Sequence, residues 1–211
     1  MLITITKIER QKKNKQRYSL YSEENFIVGI SEESLLEFNI HSGLDLSEKL
    51  LQKIEQKEKY LAIREQAWRF LARRMHSRKE LRDKLAAKRY DQDDIDKIIH
   101  ELENKKYLND SMFAQQLISD EINLKKSGPI LVKNKLLKKG VDIDIVSSLL
   151  DELYDDQIQY QNCQYFARKK IDSLKNSDNH SQKSKLGNYL IQKGFSWNMI
   201  NQVISELEFN G

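Results

Sequence analysis

LAAKRYDQDDIDKIIHEL, residues 85–102, is the first of three versions of one eighteen-residue block in this chain. The other versions are LLKKGVDIDIVSSLLDEL at 136–153 and LIQKGFSWNMINQVISEL at 190–207. The three blocks align without a gap and keep the same leucine, lysine, glutamate and leucine at their first, fourth, seventeenth and eighteenth positions. A repeat of this period is typical of small supersecondary units that bury their apolar faces against one another. The block therefore predicts an array with an extended binding surface rather than a single catalytic pocket.

Each repeat is predicted to contain three helices. The second helix begins at Ser77, where Ser-Arg-Lys-Glu has the spelling of a capping box, and at Gly128-Pro129 in the next repeat. It ends where a lysine precedes arginine or glycine. A capping residue, Asp91, Asp142 or Ser196, then begins the third helix. Apolar residues at i, i+3, i+4 and i+7 give each third helix one buried face.

The first sixty residues have a different pattern. Isoleucines at 3, 5 and 8 open a β-rich stretch, and the segments 17–20 and 26–30 flank the turn sequence Ser-Glu-Glu-Asn, which predicts a hairpin. Ser31 and Ser47 are predicted N-caps of two helices, the second of which continues into the first repeat.

The predicted fold is therefore mainly α, with three tandem three-helix repeats in an elongated curved array after a small N-terminal domain of β-hairpin and helices. One proline and seven glycines in 211 residues leave little room for long irregular loops. The predicted domains are the N-terminal domain, 1–60, and the repeats 61–108, 109–154 and 155–211. The polar stretch 175–184 is predicted to be a loop.

Composition narrows the possible functions. Charged residues make up 32% of the chain, the mean hydropathy is −0.71, and no apolar run approaches membrane-spanning length. The lone Cys163 excludes an internal disulfide framework and fits a reducing compartment, so we expect a cytoplasmic protein without membrane contact. Phosphate-loop, CxxC, HExxH and nucleophile-elbow motifs are absent from the sequence. We therefore expect no enzymatic activity, no catalytic residues, no metal and no cofactor.

Charge alternates in step with the repeats. Residues 61–90 contain ten Lys or Arg and three Asp or Glu, and residues 125–141 contain six lysines and no acid. Residues 91–124 and 142–163 are acidic in turn. One interpretation is that these charges only complement helix dipoles and neighbouring helices. The other is that stacked second helices form a basic stripe suited to a phosphate backbone or a protein–DNA filament.

Three further residues have an expected structural role. Cys163 lies beside an apolar face and is predicted to be a core residue. Trp68 and Trp197 are predicted to be core plugs, although an exposed tryptophan would favour nucleic-acid binding.

Several segments resemble the RecX family of regulatory proteins. Residues 67–81, AWRFLARRMHSRKEL, look like the central signature of that family, and YLND at 107–110 and KKGV at 138–141 are similar to later landmarks. The opening stretch 5–18 and VGISE at 28–32 resemble the N-terminal extension of RecX proteins from Gram-positive bacteria. The motifs are short, but their order covers nearly the whole chain. Arg89 and Asn109 depart from the family pattern at corner and capping positions.

The resemblance implies a modulator of the RecA recombinase. RecX proteins bind the RecA–single-stranded-DNA filament along its groove and inhibit strand exchange, ATP hydrolysis or filament growth. The implied partners are therefore the RecA filament and single-stranded, or also double-stranded, DNA, with a monomer as the expected state. The alternative from the residues is a tandem three-helix protein that binds duplex DNA directly. A third interpretation is a scaffold without a nucleic-acid role.

The candidate binding residues are exposed cations near the second helices. Their proposed role is contact with DNA phosphates or with an acidic recombinase surface. They are Arg73, Arg74, Arg78, Lys79, Arg82, Lys133, Lys135, Lys138 and Lys185.

Overall fold

The computed structural model of the chain describes residues 2–174 and 179–207. Within these ranges it is mainly helical, with ten α-helices and five short strands that all precede residue 48. This confirms the predicted fold class. The strands are β1 (Leu2–Thr4), β2 (Lys7–Arg10), β3 (Arg17–Ser22), β4 (Asn25–Ser31) and β5 (Asp45–Ser47). The helices are α1 (Glu32–Glu37), α2 (Glu48–Leu71), α3 (Arg78–Ala86), α4 (Gln92–Asn104), α5 (Asp110–Asn123), α6 (Pro129–Lys138), α7 (Ile143–Leu153), α8 (Asp156–Ile171), α9 (Asn179–Gln192) and α10 (Trp197–Ser205).

The chain forms two compact units. The first consists of the residues up to 72 together with 85–98, and the second of 73–84 together with the residues from 99 onward. The domain limits proposed from the sequence stay a prediction.

The first unit is built on antiparallel strand pairs. Strands β2, β3 and β4 form one sheet in that order, and β1 pairs with β5. The turn at Glu23 and Glu24 between β3 and β4 confirms the predicted hairpin, with Glu23 at a φ of 55°. Ser31 caps α1 and Ser47 caps α2, as their positions predicted, and α2 runs unbroken to Leu71. A core including Ile5, Leu20, Ile30, Leu46 and Ile54 lies under the sheet.

A buried carboxylate ties the hairpin to α2. Glu58 accepts hydrogen bonds from the backbone nitrogen and the hydroxyl of Ser31, at 2.7 and 2.8 Å, and pairs with Arg17 at 2.9 Å. Burial alone would raise the pKa of Glu58, but hydrogen bonds from Ser31 and Ser34 lower it below its ordinary value. Glu58 therefore stays ionised at neutral pH, with Arg17 as its counterion.

The second unit contains two helical cores. One is formed by α5, α6 and α7 and the other by α8, α9 and α10. The second-helix residues Val132 and Leu186 are fully buried, and so is Leu81, with which they align when the repeat is extended toward the start of each second helix. Between the cores, the Tyr154 hydroxyl donates to the Ser127 carbonyl at 2.8 Å, and Asn162 donates to both Tyr154 and the Ile122 carbonyl.

Two sequence predictions are wrong in part. The stretch 175–184 was expected to be a loop, but α9 begins at Asn179; residues 175–178 lie outside the described ranges. Trp68 and Trp197 were expected to be core plugs, yet their exposed fractions are 38% and 55%. Trp197 still packs on Gly187, where an added Cβ would lie 3.2 Å from its ring. Cys163 is buried as predicted, and burial raises the pKa of its thiol to about 12.

Candidate functional site

The second helices of the second unit meet end to end. At the first joint, the start of α3 meets the end of α6: the Ser77 hydroxyl donates to the Lys139 carbonyl at 2.6 Å. The Lys79 ammonium donates to the Lys138 carbonyl at 3.2 Å. Gly140 lies so close to Lys79 that an added Cβ would be 2.6 Å from the Lys79 Cβ. Glycine at position 140 therefore permits this approach.

The second joint repeats the arrangement with backbone groups. The Gly128 nitrogen donates to the Lys193 carbonyl at 2.8 Å, and the Ile130 nitrogen donates to the Gly194 carbonyl at 3.0 Å. A Cβ on Gly128 would lie 2.3 Å from the Gly194 carbonyl carbon. Two N–H groups at the start of α6 thus satisfy two carbonyls at the end of α9. We call α3, α6 and α9, joined in this way, the second-helix row.

A partly buried carboxylate holds the first joint. Glu80, whose side chain is 16% exposed, accepts two hydrogen bonds from Arg74 and one from Lys139, each at 2.8 Å. The expected capping box is therefore half formed: Ser77 accepts from the Glu80 backbone nitrogen, but the Glu80 carboxylate is bonded to cations. Hydrogen bonds from Arg74, and then from Lys139, lower the pKa of Glu80 to about 2, against the opposing effect of burial.

We expect Glu80→Gln to destabilise the chain at neutral pH by roughly 2 to 3 kcal/mol. A pKa difference of one unit corresponds to about 1.36 kcal/mol, and solvent screening of this partly exposed cluster reduces the full value. The folded pKa is depressed, so the stabilisation is complete above pH 4.5, the ordinary value, and is lost as the pH falls to about 2. Denaturant unfolding from pH 7 to pH 2 measures this. The exposed Glu152→Gln is the control. A difference between Glu80→Gln and the native chain that does not shrink in acid would contradict the assignment.

A second carboxylate is buried at the start of the all-basic segment. Glu121, only 2% exposed, accepts hydrogen bonds from Lys125, Ser127 and Lys135 at 2.6 to 2.7 Å. Burial alone would raise its pKa, but these donors, Lys125 first, lower it. Lys135 therefore has a structural role, because removing it would leave a buried charge short of a partner.

Two lysines outside the candidate set are explained by aromatic contacts. The Lys139 ammonium lies 5.8 Å from the ring centre of Phe113, and that of Lys193 lies 4.8 Å from the ring centre of Phe166. Each of these lysines occupies the fourth position of its repeat block, where all three blocks have lysine. The sequence places these lysines 26 and 27 residues after the phenylalanines, but it does not show that they meet.

The structure places the nine candidate cations in three different situations. Four of them are engaged by carboxylates: Arg74 by Glu80, Arg78 by Glu103 at 3.2 Å, Lys79 by Asp83 at 3.9 Å and Lys135 by Glu121. Within residues 2–174 and 179–207, Arg73, Lys133 and Lys138 have no ion-pair partner. Arg82 and Lys185 are exposed on α3 and α9.

The first joint brings Arg74, Lys79 and Lys138 together, since Glu80 and the end of α6 lie there. Lys135 lies instead at Glu121, and Lys133 lines a small cavity of about 200 Å³ with Asp151. Two of the predicted binding residues, Arg74 and Lys79, therefore also take part in the first joint.

In the described part of the chain, His, Cys, Asp and Glu side chains form no group of three or more suited to a metal ion. Among the same residues, no helix has both the length and the apolarity that a bilayer crossing requires.

Comparisons with known proteins match the same organisation. Family models match at residues 3–47, described as the regulatory protein RecX N-terminal domain, at 64–102, the first three-helix domain of RecX, and at 157–204, the third. A regulatory protein RecX from Clostridioides difficile is 30% identical, over 96% of this chain and 95% of its own length. One from Listeria monocytogenes is 31% identical, over 96% of this chain and 75% of its own length.

Solved structures agree in fold. A crystal structure of a regulatory protein RecX aligns with a TM-score of 0.80 at 22% identity, covering 96% of this chain and 99% of its own. The structure of RecX from Lactobacillus salivarius aligns with a TM-score of 0.65 at 28% identity, covering 72% of this chain and 97% of its own. Because the Clostridioides difficile relative is 30% identical and is matched over nearly the full length of both chains, this chain belongs to the RecX family of regulatory proteins.

Proposed function

We propose that this protein regulates the RecA recombinase by binding the RecA–single-stranded-DNA filament, and that binding lowers the ATP hydrolysis and strand exchange of the filament. Family membership supports the partner. The observation that carries the binding mode is the second-helix row, in which each of the three joined helices presents at least one exposed cation. A row of cations on a rigid support suits a ligand whose negative charges also recur along its length.

The mechanism follows from the joints. Because α3, α6 and α9 are linked by backbone and side-chain hydrogen bonds, their cations are held at fixed separations. Several weak contacts made by one rigid body act together, so the effective concentration of each later contact is high. A protein bound across successive recombinase subunits would restrain the movements that hydrolysis and strand exchange require.

The test is recombinase ATPase on single-stranded DNA with this protein titrated in. We expect the rate to fall at well below one molecule of this protein per recombinase subunit, because one bridging molecule affects several subunits. A control reaction without DNA shows how much of the measured ATPase depends on DNA. An unchanged rate, with strand exchange also unchanged, would overturn the proposal.

Direct action on duplex DNA is the alternative. It would require a third helix to enter the major groove as a recognition helix. The third helices α4 and α7 instead begin with acidic residues, Asp93 and Asp94 in the first and Asp144 in the second, which repel phosphates. An unchanged ATPase together with tight, salt-dependent duplex binding would favour this alternative.

A further inference from the structure

The three-stranded sheet of the first unit has a polar face that contributes nothing to the core. In the strand register Lys7 faces Tyr21, while Ser19 faces Glu9 on one side and Gly29 on the other. Side chains alternate between the two faces of a strand, so the neighbours Ile8, Leu20 and Ile30 point into the core. Small residues, Ser19 and Gly29, therefore occupy the centre of the outer face.

These small residues leave a depression at the surface. An open cavity of about 610 Å³ is lined by Glu9, Arg10, Gln11, Lys12, Lys13, Ser19 and Tyr21. Gln11 lies along one side, where its amide donates to the Ser19 hydroxyl at 3.2 Å. An added Cβ on Gly29 would lie 3.0 Å from the same amide nitrogen, so a larger residue at position 29 would crowd the cavity.

The rim of this cavity is strongly basic. The segment RQKKNKQR, residues 10–17, has five cations and no acid. Its ends are fixed, since Arg10 donates to the Lys15 carbonyl and Arg17 pairs with Glu58. Lys12, Lys13 and Lys15 are exposed and have no carboxylate partner in the ranges the structure describes. The one acid in the cavity, Glu9, is neutralised by Lys7 at 2.6 Å.

Aromatic rings lie at the other end of the cavity. Tyr21 lines it, and the ring of Phe26, which is 60% exposed, meets Tyr21 edge-on with 5.9 Å between ring centres. The Lys7 ammonium lies 5.9 Å from the Tyr21 ring centre. An exposed sheet face that combines cations with aromatic rings is the arrangement by which proteins bind unpaired bases and the backbone that joins them.

We propose that this face of the N-terminal sheet binds single-stranded DNA, with phosphates on Lys12, Lys13 and Lys15 and one base stacked on Tyr21. A single strand fits better than a duplex, because only an unpaired base offers its face to an aromatic ring. This site lies in the first unit, whereas every candidate cation of the second-helix row lies in the second. It therefore gives the N-terminal domain a binding role of its own.

The test uses the full-length protein and a fluorescent oligothymidine in an anisotropy titration at several salt concentrations. The variant Lys12→Glu/Lys13→Glu/Lys15→Glu should bind at least about tenfold more weakly, and the slope of log K against log salt should fall by about 2, since each phosphate contact contributes about 0.7 on a single strand. The matched control is Lys49→Glu/Lys53→Glu/Lys59→Glu on the exposed side of α2, which changes the net charge equally. Equal weakening by both variants would overturn the site.

Tyr21→Leu tests the stacked base. The native protein should prefer oligothymidine to an abasic chain of the same length by about tenfold, and the variant should lose that preference, because stacking on an aromatic ring is worth roughly 1 to 3 kcal/mol per base. A preference that persists in the variant would overturn the role of Tyr21. Stronger binding to a duplex, equally sensitive to the lysine variant, would overturn the assignment to single strands.

This experiment contains no recombinase. A negative result in the oligothymidine titration would therefore not affect the ATPase test of the proposed function. A negative result in the ATPase test would not affect the titration.

Discussion

Gly194→Ala is expected to lower the free energy of unfolding of the second unit by roughly 2 to 5 kcal/mol. Gly194 has a φ of 90°, a conformation that costs other residues about 1 to 2 kcal/mol. An added Cβ would also lie 2.4 Å from the Leu131 Cβ and 2.5 Å from the Leu131 nitrogen, so the joint must open. Overpacking of this kind typically costs about 1 to 3 kcal/mol more.

Gly43 supplies a matched control for this prediction. Its φ is 89°, but an added Cβ would meet nothing within 4 Å. Gly43→Ala therefore has the same backbone strain without the steric clash, and we expect it to cost only about 1 to 2 kcal/mol.

The measurement is hydrogen exchange of the Gly128 and Ile130 amides, combined with denaturant unfolding of the whole chain. Gly194→Ala should accelerate exchange at Gly128 and Ile130, whose N–H groups bond across the joint, and Gly43→Ala should leave it unchanged. Equal effects of the two variants on stability and exchange would show that the joint does not depend on close approach at Gly194.

Reversing Arg73, Lys133 and Lys138, the candidate cations for which the described residues supply no ion-pair partner, should nearly abolish recombinase regulation. Arg73→Glu/Lys133→Glu/Lys138→Glu removes three contacts and adds repulsion at each, which we expect to cost about 3 to 4 kcal/mol. That corresponds to a rise of about 100-fold or more in the protein concentration needed to lower the ATPase by half. The choice excludes Arg74 and Lys135, because their loss would leave Glu80 and Glu121 without partners.

The control is again Lys49→Glu/Lys53→Glu/Lys59→Glu, which lies between the family-matched segments 3–47 and 64–102. It should retain regulation within a few-fold. Circular dichroism should show native helix content in both variants. Normal inhibition by the folded Arg73, Lys133 and Lys138 variant would refute the assignment of the row as the binding surface.

Local features of this fold were predictable from sequence. The hairpin turn, the caps Ser31, Ser47, Asp142 and Ser196, and the buried positions Val132 and Leu186 all follow from the identities of residues a few positions apart. Capping and helical periodicity act over one or two turns, so a single sequence contains the information needed. The family was recognisable for the same reason, because its motifs are short and lie in a fixed order.

The candidate site was predictable only in outline. The sequence located a basic segment at 125–141 but treated its lysines as equivalent. In the structure Lys135 is bonded to a buried glutamate, Lys139 lies over Phe113, and Lys138 has no ion-pair partner among the described residues. The same limitation applies to Glu80. The sequence Ser-Arg-Lys-Glu is that of a capping box, but in the structure the Glu80 carboxylate bonds to Arg74 and Lys139.

By itself, then, the sequence determined the repeat, the start of each third helix within it and the basic character of the second helices. Only the tertiary structure decided which cations are used internally and how the second helices join. The joints connect residues far apart in the chain, such as Ser77 and Lys139, which are 62 positions apart. Such contacts depend on how closely two backbones approach, and that distance is set by the packing of whole helices rather than by any local pattern.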